Sequence, residues 1–238
     1  MTTTTAPLRI GLLVFPRMTQ LDATAPYEVF ARLPDVETLL VAPTDEPVVT
    51  EFGLTLVPSC SLEAAPPLDV LCVPGGPGIG ALIDDDRVLD LLARHGANAR
   101  YVTSVCTGAL VLGAAGLLQG HRATTHWLSL DLLALVGAIP VAERVVVDRN
   151  RVTGGGVTAG IDFALRLAMA LRGEAVARRI QLLLEYDPSP PFDSGSPQAA
   201  ADVASLRAER GALQDRRRAQ LVAAVGRAPE RWYRGGST

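Results

Sequence analysis

Four short, almost continuously apolar runs, at residues 8–15, 36–41, 69–73 and 100–105, constrain the fold of this chain most. They do not alternate polar with apolar, so each reads as a strand covered on both faces. Helical composition lies between them, at 26–33 with Pro26 in its first turn, at 87–97, and from 107 to 118. A small hairpin is predicted over 47–57 around Phe52-Gly53. Further strands are predicted near 122–126, 144–147 and 151–153, with a helix over 128–135. A long apolar helix is predicted from Thr158 to Tyr186, broken near Gly173. The alternation predicts an α/β fold: a doubly wound, mostly parallel sheet sandwiched by helices.

The sequence divides into an α/β domain over 8–187, an extension over 188–225, and a tail over 226–238 that is expected to be disordered. Asp187-Pro-Ser-Pro-Pro-Phe-Asp-Ser-Gly-Ser-Pro197 cannot be regular helix, because its prolines fix φ and lack donors. Helical composition returns over 199–225, with Val203, Leu206, Leu213 and Leu221 too sparse for a separate core. That helix is expected to pack on the main domain or on a second subunit.

A net charge of -3 gives no electrostatic case for nucleic acid or an anionic membrane. All 22 basic residues are arginine, which excludes lysine chemistry, including Schiff bases and a phosphate-loop lysine. Cys60, Cys72 and Cys106 are an odd number without metal-ligand spacing, so neither a disulfide framework nor a metal site is expected. No apolar run approaches the roughly 20 residues of a membrane helix. The expectation is a soluble, cytoplasmic protein.

Cys106 stands where a buried strand meets an apolar helix. A residue on that turn is presented at the end of the sheet, facing the unpaired N–H groups of the helix start. Such a setting is expected to lower a thiol pKa and expose a nucleophile, although a buried, inert cysteine is the common alternative.

A parallel sheet gathers the C-terminal ends of its strands along one edge, so three further segments converge on Cys106. Asp22 follows the first strand and reads either as a proton carrier or as a helix N-cap. Gly75 and Gly76, in Pro74-Gly-Gly-Pro-Gly78, allow close backbone approach and can aim N–H groups at developing negative charge. A phosphate loop is disfavoured there, because the Gly-Lys-Ser/Thr ending is missing. Gly154-Gly155-Gly156 reads as close backbone contact or as a plain turn. Among the histidines, His95 and His121 read as solvated, whereas His126 ends a strand and reads as a site residue or a structural one. Cys72 reads as core, and Cys60 carries no chemical signal.

Gly75-Gly76, Ser104-Val-Cys-Thr-Gly108 and Thr124-Thr-His-Trp127 resemble the ThiJ/PfpI superfamily. Within it, the residues from Ser104 to Gly120, Thr153 to Leu165 and Leu184 to Pro197 resemble the isonitrile hydratases. The likeness spans about residues 8–225. One departure is Ala25, in Leu21-Asp-Ala-Thr-Ala-Pro26, where the family usually has glycine; the acid Asp22 is retained. The resemblance implies a flavodoxin-like, class I glutamine amidotransferase-like fold and a homodimer. It also implies an enzyme that adds water to a small-molecule isocyanide, without metal or organic cofactor, to give an N-substituted formamide. Catalytic roles are then implied for Cys106 as nucleophile, Asp22 as proton carrier and Thr107 as a positioning group. Gly75, Gly76, Gly155 and His126 are implied to bind substrate.

Other readings stay open at this point. The elbow also resembles the sensing domain of AraC-type transcription regulators, which would require loss of the DNA-binding module. Thr107 argues against PfpI-type peptidases, which usually carry histidine after the cysteine. Asp22 argues against glyoxalase-like or deglycase members, which carry glutamate there. An oxidation sensor built on Cys106 is chemically open.

Overall fold

The structure is a computed structural model that describes residues 6–229 and 231. The main sheet uses β1 (Leu8–Leu13), β2 (Val36–Ala42), β5 (Cys60–Ser61), β6 (Val70–Val73), β7 (Tyr101–Val105), β10 (Val145–Asp148) and β11 (Arg151–Gly154). Short pairs β3 (Val48–Val49) with β4 (Thr55–Leu56) and β8 (Arg122–Ala123) with β9 (Ile139–Pro140) stand outside it. The seven strands run in the order β10-β11-β7-β6-β1-β2-β5, parallel throughout except for the antiparallel pair β10–β11. The expected doubly wound sheet is what the chain forms, and β3–β4 is the expected hairpin.

β1 and β6 are neighbours, but the chain leaves them in opposite directions across the sheet. The crevice beyond such a switch point is where open α/β sheets bind ligands. The segments that follow β1, β6 and β7, three adjacent strands, carry Asp22 at the start of α1, Gly75-Gly76 and Cys106.

Helices cover both faces. α1 (Leu21–Phe30) packs on α5 (Ala159–Arg172), with α6 (Glu174–Leu183) beside α5. α2 (Ile79–Ile83), α3 (Asp86–Asn98) and α4 (Gly108–Ala114) form the other layer, with a 3₁₀ helix over Trp127–Val136 against α4. Phe30 and Phe163 are fully buried and meet edge to face, with ring centroids 6.1 Å apart. Phe163→Ala therefore leaves a cavity between α1 and α5. It is expected to cost about 3–5 kcal/mol, read as a lowered urea midpoint with an unchanged slope.

Several boundaries differ from expectation. α1 begins at Leu21, five residues earlier than predicted, so Pro26 lies inside the helix and not in its first turn. The 128–135 helix is a 3₁₀ helix, and the strand expected over 122–126 stops at Ala123. α2 was not predicted. Gly173 divides α5 from α6 as expected, with φ 87°. His95 is buried, its Nε2 2.9 Å from the Leu62 carbonyl oxygen, and not solvated. His121 is also mostly covered and lies 3.4 Å from Asp148.

The C-terminal extension forms α7 (Val203–Arg227), which folds back onto α2, α4 and the 3₁₀ helix. Leu221 and Ala224 are buried there, so these apolar positions face the chain's own domain. Arg218 pairs with Asp131 at 2.5 Å and Arg227 with Asp86 at 3.0 Å. α7 runs past residue 225, with Gly226 and Arg227 helical, and Arg231 pairs with Asp86 and Asp90. Residues 230 and 232–238 of the expected tail lie outside the described residues. No described helix is long and apolar enough to cross a membrane.

Candidate active site

Cys106 follows β7 with a left-handed backbone, φ 55°, a conformation that costs a non-glycine residue energy. Its surroundings fix it there. The Cys106 N–H donates to the Gly155 carbonyl at 2.7 Å and the Gly154 carbonyl at 3.1 Å. The Thr125 hydroxyl donates to the Cys106 carbonyl at 2.8 Å. The glycine run and the Thr124-Thr125 motif therefore clamp the elbow from both sides. Gly155 holds Cys106 by its backbone and lines a neighbouring cavity of about 730 Å³, not the one at the thiol.

Asp22 lies in the first turn of α1, fully buried, and Gln20 occupies the N-cap position. The N-cap reading of Asp22 is thereby excluded. Its Oδ2 accepts from the Gly75 N–H at 2.9 Å, while Oδ1 has no hydrogen-bond partner. Burial pushes this carboxyl up to about 7, against the lowering effects of the Gly75 N–H and the Cys106 thiol.

The glycine pair works differently from the expectation. Gly75 N–H is taken by Asp22, and Gly76 N–H donates to Thr107 Oγ1 at 3.1 Å. Neither N–H is left for a substrate, and Gly75 does not line the cavity at the thiol. Glycine is nonetheless required. A Cβ on Gly75 would stand 2.5 Å from Thr107 N and 3.0 Å from Cys106 Cβ. Gly76 has φ 135°, and a Cβ there would strike the backbone of Met18 and Thr19.

The cysteine's charge state also departs from expectation. Burial pushes the Cys106 thiol up, and the adjacent Asp22 carboxylate pushes it further. The Thr107 N–H and the Arg217 guanidinium oppose this without prevailing. The helix start does not make a resting thiolate here. The site instead pairs a buried thiol with a buried carboxyl that titrates near neutrality.

A cavity of about 400 Å³ opens over Cys106 and Thr107, bounded by Gly76, His126, Trp127 and Val157. Its remaining wall was not foreseen. α7 contributes Leu206, Arg210, Leu213, Gln214 and Arg217, and the β3–β4 hairpin contributes Glu51 and Phe52. In the sequence, Arg217 is one of many arginines, and nothing local distinguishes it. His126 lines the cavity, while its Nδ1 accepts from the Leu128 N–H at 3.4 Å at the start of the 3₁₀ helix. Burial, with Arg217 and Arg210 nearby, holds His126 below its ordinary value and so neutral. Ala25 is absent from the cavity lining; it is buried toward α5, 3.6 Å from where a methyl on Gly160 would lie. The described residues contain no cluster of three or more metal-ligating side chains.

A thiol at a strained elbow, paired with a carboxyl beyond the strand ends of an open α/β sheet, defines a class of cysteine-centred proteins. Residues 8–170 match the DJ-1/PfpI family, and the chain belongs to that family. It is 60% identical over 193 residues to the isonitrile hydratase of Pseudomonas putida, covering 81% of this chain and 85% of that one. The crystal structure of a ThiJ/PfpI family protein from Pseudomonas syringae superimposes with a TM-score of 0.85 at 43% identity. It covers 92% of this chain and 91% of its own. The HTH-type transcriptional regulator GbdR of Pseudomonas aeruginosa is 34% identical over 141 residues, 57% of this chain but 37% of the regulator.

Proposed function

We propose that this protein is an isonitrile hydratase, converting R–N≡C and water to the formamide R–NH–CHO through a covalent thioimidate on Cys106. The observation that carries the reading is the Cys106 thiol on the wall of a small cavity, with the Asp22 carboxyl buried behind it, in a chain closely similar to a hydratase of that name.

The chemistry follows from the pair. Asp22 takes the thiol proton as sulfur attacks the terminal carbon, and the S–C bond forms. Asp22 then delivers that proton to the substrate, leaving Cys–S–CH=N–R. Water adds across C=N, its proton passing through Asp22 to nitrogen. Collapse of the S–CH(OH)–NHR adduct breaks the C–S bond and returns the hydroxyl proton to the sulfur. Atoms balance, and no redox step is needed. Thr107 N–H faces the sulfur and steadies charge there, while its hydroxyl is held by Gly76.

The sensor reading gains nothing from α7. This helix folds back to wall the cavity and packs its buried face on its own domain. The three cysteines are free, in keeping with action in the cytoplasm. The protein is proposed to act as a homodimer, the assembly that the family resemblance implies. Light scattering of the purified protein should give twice the 25.1 kDa chain mass.

The functional test is turnover of para-nitrophenyl isocyanide by the purified protein, followed as the N-substituted formamide by chromatography. Formamide above the uncatalysed rate is expected. None from a folded protein with a titratable thiol would refute the reading.

A further inference from the structure

One face of α7 presents Arg210, Leu213, Gln214 and Arg217 to the cavity over Cys106, spaced three and four residues apart. Three of the four bring N–H donors. Arg217 is only 7% exposed. Its Nη1 donates to Ser129 Oγ at 3.2 Å, and Nη2 reaches the Gly76 carbonyl at 3.5 Å. Its Nε is buried with no hydrogen-bond partner. Gln214 Oε1 accepts from Ser129 Oγ at 2.8 Å, which fixes the amide, and its Nε2 is also buried without a partner.

Glu51 lines the same cavity, its Oε2 held by the Thr19 hydroxyl at 3.1 Å; it and the Cys106 sulfur act on Arg217 by charge, but Glu51 forms no direct ion pair with Arg217 among the described residues. A buried guanidinium without a carboxylate partner is costly, and so is a buried amide N–H left unpaired. Both costs fall if an anion occupies the cavity, and a carboxylate suits the planar guanidinium. Trp127, Leu128 and Val157 leave apolar space beside these donors.

We propose that the cavity seats a carboxylate against the Arg217 and Gln214 side chains, so that the preferred substrate is an isocyanide bearing a carboxylate. This assignment rests on the hydratase reading. Arg217 and Gln214 are then specificity-determining residues, and Arg210 adds positive charge at the mouth.

The test compares 4-isocyanobenzoate with 4-isocyanobenzamide as substrates, and the two corresponding formamides as ligands in calorimetry. Wild type should favour each carboxylate by about 10- to 100-fold, the range expected of charge-assisted hydrogen bonds. Arg217→Met should bring both ratios near one, and Arg217→Lys should restore part of the preference. If Arg217→Met does not fold, Gln214→Met must lower the ratio by itself. Equal handling of carboxylate and carboxamide by wild type, or a preference that survives in Arg217→Met, would overturn the anion seat. Hydration of both isocyanides with equal efficiency would overturn it alone and leave the hydratase reading intact. Carboxylate-selective binding without hydration of either isocyanide would overturn the hydratase reading, and the substrate assignment with it.

Discussion

Cys106→Ser should abolish formamide production while leaving the fold in place. Sulfur is the soft nucleophile that the terminal isocyanide carbon requires, and a serine hydroxyl in the same buried position is far less readily ionised. The residue's φ of 55° is set by the clamps from Gly154, Gly155 and Thr125, which act on its backbone and not on its sulfur. The substitution therefore keeps the elbow and removes only the chemistry. Turnover should fall to the uncatalysed background, with a far-ultraviolet circular dichroism spectrum and urea midpoint close to wild type. Retention of more than about one part in 10³ of the activity would contradict covalent catalysis, since loss of an essential nucleophile costs more than this in enzymes of comparable logic.

Asp22→Asn should separate activity from stability in opposite directions. The amide keeps an oxygen for the Gly75 N–H but can neither take the thiol proton nor return it. The loss of rate should be about 10²–10⁴, the usual worth of a positioned acid–base group. The pH dependence has a definite sign. With Asp22 at about 7, the pair holds two protons at low pH, when neither a base nor a thiolate is present. Losing one proton creates the form in which carboxylate draws on thiol. The kcat/KM of wild type should therefore rise as pH rises through about 7 and then level off, and the variant should lack that limb. The pair titrates as a unit, so the kinetic midpoint belongs to both groups.

Stability runs the other way. The carboxyl's folded-state pKa lies above its value of 3.8 in the unfolded chain, so folding favours the protonated form. The Asp22 contribution is intact below about pH 3.8 and is lost as pH rises toward 7, because the unfolded chain's carboxyl ionises there while the buried one stays protonated. The loss levels off above about 7, where the buried group ionises too. Asp22→Asn removes that penalty and should raise the urea midpoint at pH 8 but not at pH 3.5. A variant less stable than wild type at pH 8 would show that the carboxylate is not carrying a desolvation cost.

The strands were the legible part of this fold, for a physical reason. β1, β6 and β7 are buried on both faces, so their apolar runs have few alternatives. Pro26 misled because its fixed φ suits the first turn, whereas in α1 it sits mid-helix, one turn after the Asp22 carbonyl it cannot reach by hydrogen bond. α2 is five residues long, too short to show a helical period.

At the site, Cys106, Thr107, Gly76 and Asp22 were legible because they follow the ends of adjacent parallel strands. The direction of the cysteine's shift was not. Helix-start electrostatics can be read from a strand–helix junction, but burial and the facing carboxyl depend on how α1 and α7 close over the elbow. Arg217 and Gln214 escaped notice for the same reason: 141 residues separate Arg217 from Gly76, whose carbonyl it reaches. Similarly, the Gly75 and Gly76 N–H groups were visible as donors, but which acceptors they meet is set by tertiary packing.

Trapping the covalent intermediate tests the central claim most directly. Wild-type protein mixed with excess para-nitrophenyl isocyanide and quenched in acid within the first turnover would be weighed intact and then mapped by peptide. The account predicts a mass gain of one whole isocyanide, since addition expels nothing, located on the peptide bearing Cys106. Formamide produced at full rate with no adduct, or with the adduct on Cys60 or Cys72, would contradict it.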